Sequence, residues 1–468
     1  MQLLESKLGF ERCRRRRQTS AARRNVLLMW ENQRGLGATT TVFYAHNMVG
    51  IVEFMGDKPS VSGTGDDSTE YKAAGQEAVH LKFVSDVDSM KTAESYHPEF
   101  VHQHFGDSES IFGYKDLKVT LYYSDQSMYI YPEIEYTGTI KEKHPDIEPD
   151  DIIIKLKDQL PNWQMDTMAT SLEGFKQRLE EQKQFKLPEG QQIGSFRSTN
   201  EKLFEVFKVT QCTDTFDHFV TRTQTLALWY IDAADYTDNS DIRFSFYFVY
   251  EVVEEPGTKQ KIYKVAGYAL LCNYHAYLEK IRPRVAQILL LPQHRGAGNG
   301  AKFWQVISND LITQERVIDV TAEDPADSFL YLRDFVDCSN CLKLPEFSVD
   351  NLKGGYSTEM KDAARNKLKI NPRQSRRVYE ILRYMNMDKK NAAEMKDYRI
   401  DVKRRLEFPM KRSGRDWKKM NSALGNDELS VVLQGSQDDN KFTMLEEMFK
   451  QTVEEYKVTI QRLQTYRL

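Results

Sequence analysis

The spacing of apolar residues changes along the chain and separates strand-forming from helix-forming parts. Short runs rich in apolar, β-branched and aromatic residues predict strands at 117–123, 128–134, 244–253, 265–271, 285–291 and 317–321. Apolar residues at three- and four-residue spacing predict helices at 171–184, around Trp304, Ile307 and Leu311, and at 328–336, 377–385 and 441–463. The order of strands, glycine-rich loop, helix and strand between 244 and 336 predicts a mixed α/β sheet with a ligand at the loop.

Changes in composition divide the chain into four segments. The first contains an arginine-rich stretch at 11–24 and a Ser-, Gly- and Asp-rich stretch at 59–69. The arginines fit a nuclear localisation signal, a polyanion contact or a solvated extension. Turn-forming residues at 186–194 mark a boundary, and no strand pattern follows residue 356. We predict a disordered basic extension and linker at 1–70, an α/β domain at 71–195, a ligand-binding α/β domain at 196–345 and a helical domain at 346–468.

Composition narrows the class of protein. The chain has 468 residues, 40% of them hydrophobic, which is enough to form globular cores. Its 65 basic and 69 acidic residues give a net charge of −4, which argues against direct nucleic-acid binding. The odd number of cysteines, 5, argues against a disulfide framework and favours a reducing compartment. No stretch reads as a membrane span or an apolar signal sequence, so we expect an intracellular protein without membrane association.

A glycine-rich turn follows the apolar run 285–291 and leads into a helix. Such a turn can hold a phosphate group, because the first N–H groups of a helix lack internal partners and the helix dipole is positive there. The Gly-Lys-Ser/Thr of a P-loop is absent. Asp319 lies where a dinucleotide-binding fold places an acid, but the glycine spacing differs. A simple tight turn is the structural alternative. The pattern of Arg295, Gly298 and Gly300 resembles the coenzyme A pyrophosphate signature of the GNAT superfamily of N-acetyltransferases.

Longer motifs extend this resemblance. The stretches TAEDP at 321–325 and LRDFV at 332–336 follow RPRVAQILLL at 282–291 and RGAGNG at 295–300. Together they closely resemble the catalytic subunits of the type B histone acetyltransferases, from about residue 75 nearly to the C-terminus. The resemblance implies a GNAT-type acetyltransferase core, with an N-terminal α/β domain that contacts the histone and a C-terminal helical domain. It does not cover the first 70 residues.

The resemblance also implies roles for individual residues. Glu323 would be the general base, and Asp324 and Asp232 would be further carboxylates of the active site, with Asp232 standing where we expect Glu in this family. Acetyl-CoA would be the co-substrate, and no metal is expected. The residues implied to bind its pantetheine and pyrophosphate groups are Ile288, Leu289, Leu290, Arg295, Gly296, Ala297, Gly298, Asn299, Gly300 and Ala301.

Two segments match the family's histone H4 contacts. The first comprises Asp107, Ser108 and Glu109, with Ser108 in place of an acid, and the second comprises Cys272, Asn273 and Tyr274, with Cys272 in place of an aromatic residue. Acidic residues at 146–151 and at every third position from 232 to 241 could also steer a basic tail, or could simply be solvated. His97, His102 and His104 do not form a familiar metal-binding set, and the Cys-x-x-Cys at 338–341 has no second pair.

The resemblance implies a histone lysine N-acetyltransferase that acts on newly synthesised, non-nucleosomal histone H4, and we infer direct attack in a ternary complex. The resemblance implies histone H4 with its histone partner and a WD-repeat histone-binding chaperone of the retinoblastoma-binding type as partners, in nucleus and cytoplasm. The alternatives are an acetyltransferase for another protein amine, an inactive coenzyme A-binding scaffold for histone chaperones, a nicotinamide oxidoreductase, and transfer through a cysteine nucleophile, Cys272 or Cys338.

Overall fold

The computed structural model describes residues 67–162, 164–187, 190–255, 257, 260–408 and 438–466. All of them lie within one compact unit, Thr64–Leu468. The arginine-rich stretch at 11–24 and nearly all of the predicted extension at 1–70 fall outside the described residues. Among the described residues no helix combines the length and hydropathy that crossing a membrane requires.

Thirteen strands form four sheets among the described residues. The strands, in chain order, are β1 Lys72–Ala74, β2 Val79–Val84, β3 Ser110–Phe112, β4 Tyr114–Lys115, β5 Lys118–Ser124, β6 Ile130–Glu135, β7 Gly138–Thr139, β8 Gln191–Arg197, β9 Leu203–Val209, β10 Phe244–Glu254, β11 Lys261–His275, β12 Ile281–Leu290 and β13 Thr321–Ala322.

Helices surround these sheets and make up the C-terminal part. They are α1 Asp67–Glu70, α2 Gly75–Ala78, α3 Ser89–Thr92, α4 His102–Phe105, α5 Ile152–Lys157, α6 Leu172–Glu181, α7 Asp214–Gln224, α8 Ala227–Tyr230, α9 Asn299–Thr313, α10 Asp327–Cys341, α11 Val349–Lys353, α12 Thr358–Leu368, α13 Pro372–Asn386, α14 Ala392–Glu407 and α15 Asp438–Thr465. Short 3₁₀ turns occupy Ile140–Glu142, Met165–Thr167, Gln182–Gln184, Pro292–His294 and Pro345–Phe347.

The central feature is a six-stranded sheet in the order β13-β12-β11-β10-β9-β8. Both of its faces are covered, which explains why the sequence shows nearly continuous apolar runs rather than alternation. Along β10, Phe246 and Phe248 pack with Phe216 of α7, while Tyr247 packs on the opposite face with Trp304 of α9. This mixed architecture confirms the predicted α/β class. The sheet begins at Gln191 rather than at residue 196, so the boundary predicted at 195 falls inside β8.

The last pairing of this sheet is short. β12 runs antiparallel to β11 for its whole length, with a register shift that leaves Ala286 as an extra residue. Its other edge pairs in parallel with β13 only at Arg284–Thr321 and Val285–Ala322. The strand predicted at 317–321 is therefore replaced by two residues, 321 and 322. Before these residues, Val317 makes an isolated bridge to Ile281 of β12, whereas Val320 bridges Ile370 of the C-terminal part.

The N-terminal part contains a smaller sheet in the order β2-β5-β6. The hairpin predicted at 117–123 and 128–134 is confirmed as β5 and β6, which pair antiparallel. Helix α6 covers one face of this sheet with Phe175 and Leu179. The other face joins the core that also covers β10. The N-terminal sheet and the central sheet are thus parts of one continuous core.

Beyond residue 356 the regular elements of the described residues are all helices, as predicted. Helix α15 corresponds to the helix predicted at 441–463, and it buries its apolar stripe against the rest of the C-terminal core. The carboxylate of Glu380 is fully buried among these helices. It accepts hydrogen bonds from Arg376, Arg405 and the Tyr456 hydroxyl. These contacts join α13, α14 and α15.

Candidate active site

The candidate site begins at an open edge of β12. Beyond Val285, no strand in the described ranges pairs with the edge of β12 that faces away from β11. The side chains alternate there, with Leu289 buried and Ile288 and Leu290 partly exposed. The backbone groups of Ala286–Leu290 can therefore pair with an extended molecule, and we call this segment the open edge. It contains three residues implied to bind the co-substrate.

A glycine loop follows the open edge. Gly296 and Gly298 have positive φ angles of 84° and 73°, a conformation that glycine adopts without strain. A Cβ atom at either position would meet no atom within 4 Å, so both glycines face open space. Gly298 is the N-cap of α9 and provides no side chain to occupy the first N–H groups of the helix. Gly300 differs, because a Cβ there would lie 2.7 Å from Leu332. The loop is therefore an open cradle of backbone donors.

The remaining loop residues hold this cradle in place. The Arg295 guanidinium donates to Leu290 O at 2.9 Å, pairs with Glu99 and stacks 4.8 Å from the ring centre of Tyr230. The cation predicted to face a pyrophosphate thus already has three partners in the protein. Asn299 is buried and donates to His294 O at 2.9 Å.

Two further residues of the loop make neighbouring contacts. Thr199 contacts Ala297 O through its N–H at 3.5 Å, which ties the β8–β9 turn to the loop. Ala301 packs against the apolar cluster below α9. These contacts connect the loop to the β8–β9 turn and to the apolar cluster below α9.

Glu323 lies where β13 separates from β12. Its N–H donates to Val285 O at 3.0 Å, the last backbone bond between the two strands. Its half-buried carboxylate is close to Cys272 and Tyr274. Burial raises the pKa of both side chains, and the charge of Glu323 adds to the rise. Asp324 follows in the exposed turn with a φ of 37°. The predicted base therefore faces the segment that was predicted to bind substrate.

Contacts with neighbouring residues hold the segment 272–274 in place. The Asn273 amide donates to Ser245 Oγ at 2.9 Å, and its N–H donates to Arg243 O at 2.8 Å. The guanidinium of Arg284 lies 4.5 Å from the ring centre of Tyr274. Cys272 precedes Asn273 on β11, and its side chain is buried.

The other predicted substrate segment meets Asp232 through a histidine. Nδ1 of His102 lies 3.7 Å from a Glu109 carboxylate oxygen, and its Nε2 lies 3.6 Å from an oxygen of Asp232. Asp107 and Ser108 are exposed in the same turn, where the Ser110 hydroxyl donates to the Ser108 hydroxyl at 3.1 Å. Two acidic segments that are distant in sequence thus form one wall.

Two glutamines fix the loop that carries Asp232. Gln103 donates to Ala234 O at 2.6 Å, and Gln287 of β12 donates to Asp235 O at 3.0 Å. Sequence reasoning did not single out His102, Gln103 or Gln287 for these roles. A glutamine inside the apolar run of β12 is the signal that could have drawn attention to one of them.

The other acidic features serve local structure. Asp151 caps α5 by accepting from Ile154 N at 2.9 Å, and Asp150 accepts from Phe112 N at 2.9 Å. Asp241 pairs with Arg243, which lowers the pKa of the Asp241 carboxyl. The acidic run at 146–151 therefore partly holds β3 and the start of α5 in place.

Two alternatives from the sequence meet structural objections. Asp319 is fully buried and paired with Arg282 and Arg365, so it cannot contact a ribose as a dinucleotide-binding fold requires. Burial raises the pKa of the Cys338 thiol well above its ordinary value, which disfavours the thiolate nucleophile. Among the described residues, no group of three or more His, Cys, Asp or Glu side chains could hold a metal ion.

Comparisons with known proteins point in one direction. A family model described as the histone acetyl transferase HAT1 N-terminus matches residues 71–232, and one described as the C-terminal part of the histone acetyltransferase type B catalytic subunit matches residues 333–384. The histone acetyltransferase type B catalytic subunits of Mus musculus and Homo sapiens are each 34% identical over 400 residues, or 84% of this chain and 94% of theirs. The subunit of Cryptococcus neoformans is 28% identical over 350 residues, or 68% of this chain and 83% of its own.

Proposed function

Because this chain belongs to the family of histone acetyltransferase type B catalytic subunits and is therefore a histone acetyltransferase, we propose that it acetylates newly synthesised, non-nucleosomal histone H4. The acetyl donor in this proposal is acetyl-CoA, and the acceptors are lysines of the N-terminal tail. One observation carries the proposal. Glu323 leaves β12 at Val285, where the open edge begins, and its carboxylate lies beside Cys272 and Tyr274.

The residues present fit coenzyme A. The open edge offers backbone donors and acceptors to an extended amide chain such as pantetheine. The glycine loop offers unoccupied helix N–H groups and open space at Gly296 and Gly298, which suits a pyrophosphate. Acetyl-CoA supplies the thioester whose carbonyl carbon accepts the lysine nitrogen and whose thiol leaves. Since Arg295 is engaged within the protein, its role in this proposal is to hold the loop.

The acceptor lysine requires a base. Its ammonium group has a pKa of about 10.4, so deprotonation near pH 7 costs about 4.6 kcal/mol. We assign Glu323 this role, because its carboxylate is partly buried and lies beside Cys272 and Tyr274. The amine then attacks the thioester directly, and no covalent enzyme intermediate is needed. Asp324 follows Glu323 directly and lies in the exposed turn beside it.

The acidic wall fits a basic substrate. Asp232, Glu109 and Asp107 are at least partly exposed and carry the charge opposite to that of a lysine-rich tail. We propose that Asn273 and Tyr274 contact the residues that flank the acceptor. We further propose that histone H4 arrives with its histone partner and a WD-repeat chaperone of the retinoblastoma-binding type, and that the enzyme acts in nucleus and cytoplasm.

The test is transfer of radiolabelled acetyl from acetyl-CoA to recombinant histone H4. The wild type is compared with Glu323→Gln and with Glu315→Gln, an exposed control outside the site. We expect Glu323→Gln to lose roughly 10²- to 10⁴-fold in turnover, the usual contribution of a general base, and to keep its affinity for acetyl-CoA. The Glu315→Gln control should match the wild type.

Other outcomes point elsewhere. Wild-type turnover in Glu323→Gln would remove Glu323 as the base. If the wild type binds acetyl-CoA but does not modify histone H4, the chaperone is added next. Continued inactivity with the chaperone would favour another protein amine or an inactive scaffold. A panel of basic proteins as acceptors separates those two.

A further inference from the structure

The position of Glu323 depends on contacts outside the central sheet. Glu323 directly follows β13, a strand that pairs with β12 through only two residues and lies at the end of the sheet. A strand this short is not fixed by its own ladder, since each pair contributes little. Other groups must hold the segment 319–323 in register.

The C-terminal helices provide these contacts. Val320 N–H donates to Lys369 O at 2.8 Å, and Val320 O accepts from Asn371 Nδ2 at 2.8 Å. Arg333 of α10 donates to the same carbonyl at 2.8 Å. Lys369 ends α12 with a φ of 58°, and Asn371 is the N-cap of α13. The turn between α12 and α13 thus contacts the segment 319–323, which contains Glu323.

An ion pair holds the beginning of the same segment. Asp319 is fully buried, and its carboxylate accepts from Arg282 Nη2 at 3.1 Å. Arg365 Nε of α12 lies 3.3 Å from the same carboxylate oxygen, and Arg282 Nε donates to the other one. Because Arg282 lies near the start of β12, Asp319 connects the sheet to the C-terminal helices one residue before Val320.

We propose that the turn Lys369–Asn371 is part of the active site's support, with Asn371 as the positioning residue that sets Glu323 against the open edge of β12. This inference rests on the proposed role of Glu323 as base. It makes the C-terminal helical part necessary for turnover, although the residues described within 346–468 contribute no group to the acidic wall. Asn371 acts through Val320 and does not contact substrate.

One isosteric substitution separates positioning from folding. Asn371 caps α13 by accepting from Gln374 N at 3.0 Å, and it donates to Val320 through the other half of its amide. Asn371→Asp keeps the cap, because a carboxylate also accepts. It loses the donor and places an oxygen against the Val320 carbonyl. Asn391→Asp is the matched control, since Asn391 caps α14 in the same manner.

We expect Asn371→Asp to lower kcat about tenfold, the order of loss that follows a displacement of less than 1 Å at a reacting group. KM for histone H4 and the Kd for acetyl-CoA should stay within about twofold of wild type, because the acidic wall and the cradle are untouched. Asn391→Asp should have wild-type kinetics. If Asn371→Asp does not fold, Asn371→Ser replaces it in the test. The serine hydroxyl can still cap α13, but it is too short to reach the Val320 carbonyl.

A double variant tests whether the effect passes through Glu323. In a Glu323→Gln background, Asn371→Asp should cause no further loss of kcat. A kcat equal to wild type in Asn371→Asp, or a full tenfold loss in the double variant, would overturn the inference. Wild-type turnover in Glu323→Gln alone would instead overturn the proposed base, so the two failures are distinguishable.

Discussion

The glycine loop gives a quantitative prediction for co-substrate binding. Gly298 has a φ of 73°, faces open space and precedes the first N–H groups of α9. Asp at this position would occupy the cradle with a carboxylate that both competes for the N–H groups and repels a pyrophosphate. We therefore expect Gly298→Asp to weaken the binding of acetyl-CoA.

Two contributions determine the size of the effect. The left-handed backbone strains any L-residue by roughly 1–2 kcal/mol, and this lowers stability rather than affinity. Two unit charges about 5 Å apart repel by about 3 kcal/mol at an effective dielectric constant of ~20. Because the loop is exposed, solvent and salt reduce this value, so we expect a loss of about 1–3 kcal/mol and a Kd roughly 5- to 150-fold higher.

Calorimetry with acetyl-CoA at two salt concentrations measures this effect. The control is Gly355→Asp, because Gly355 also has a positive φ and open space around it but lies between α11 and α12. Both variants should lose some thermal stability, and only Gly298→Asp should lose affinity. Its deficit should shrink at high salt. An unchanged Kd in Gly298→Asp would show that the loop does not hold the phosphates.

Two further predictions concern stability. Glu380→Gln should lower the free energy of unfolding by roughly 3–5 kcal/mol in urea titrations, because it leaves buried arginines without their anion, whereas Glu454→Gln, in an exposed pair, should leave the urea midpoint unchanged. Burial lowers the pKa of His104, which stacks on Trp229, to about 3. Its unfolded pKa is about 6.5, so the unfolded chain gains the proton first and stability falls as the pH drops below 6.5. Between pH 7.5 and pH 5.5 the wild type should lose about 1.4 kcal/mol more than His104→Phe, which keeps the stack, and equal losses would contradict the assigned pKa.

The sequence predicts those parts of the molecule whose structure is decided by neighbouring residues. The long strands β10, β11 and β12, the glycine loop and helix α15 follow from local apolar patterns and were placed correctly to within a few residues. The edge strand β8 was not identified, because its side chains are mostly exposed and show no alternation that a core would impose.

Long-range contacts explain what the sequence does not predict. The strand expected at 317–321 looks regular as a sequence, but Val320 pairs with residues at 369 and 371 and Asp319 pairs with Arg365. The link from His102 to Asp232 likewise joins residues far apart in the chain. Such contacts depend on the completed fold, and no local pattern encodes them.

The open edge of β12 also bears on solubility. Unpaired strand edges can nucleate edge-to-edge aggregation, and proteins protect them by keeping them short or by interrupting them with bulges and charges. Here the bulge at Ala286 bounds the segment on one side, and Arg295 covers the Leu290 carbonyl on the other. The unpaired stretch is therefore only a few residues long, which limits the pairing that it offers to a foreign strand. An edge of this length can pair with a small extended molecule, but it offers few backbone groups to a strand of another protein.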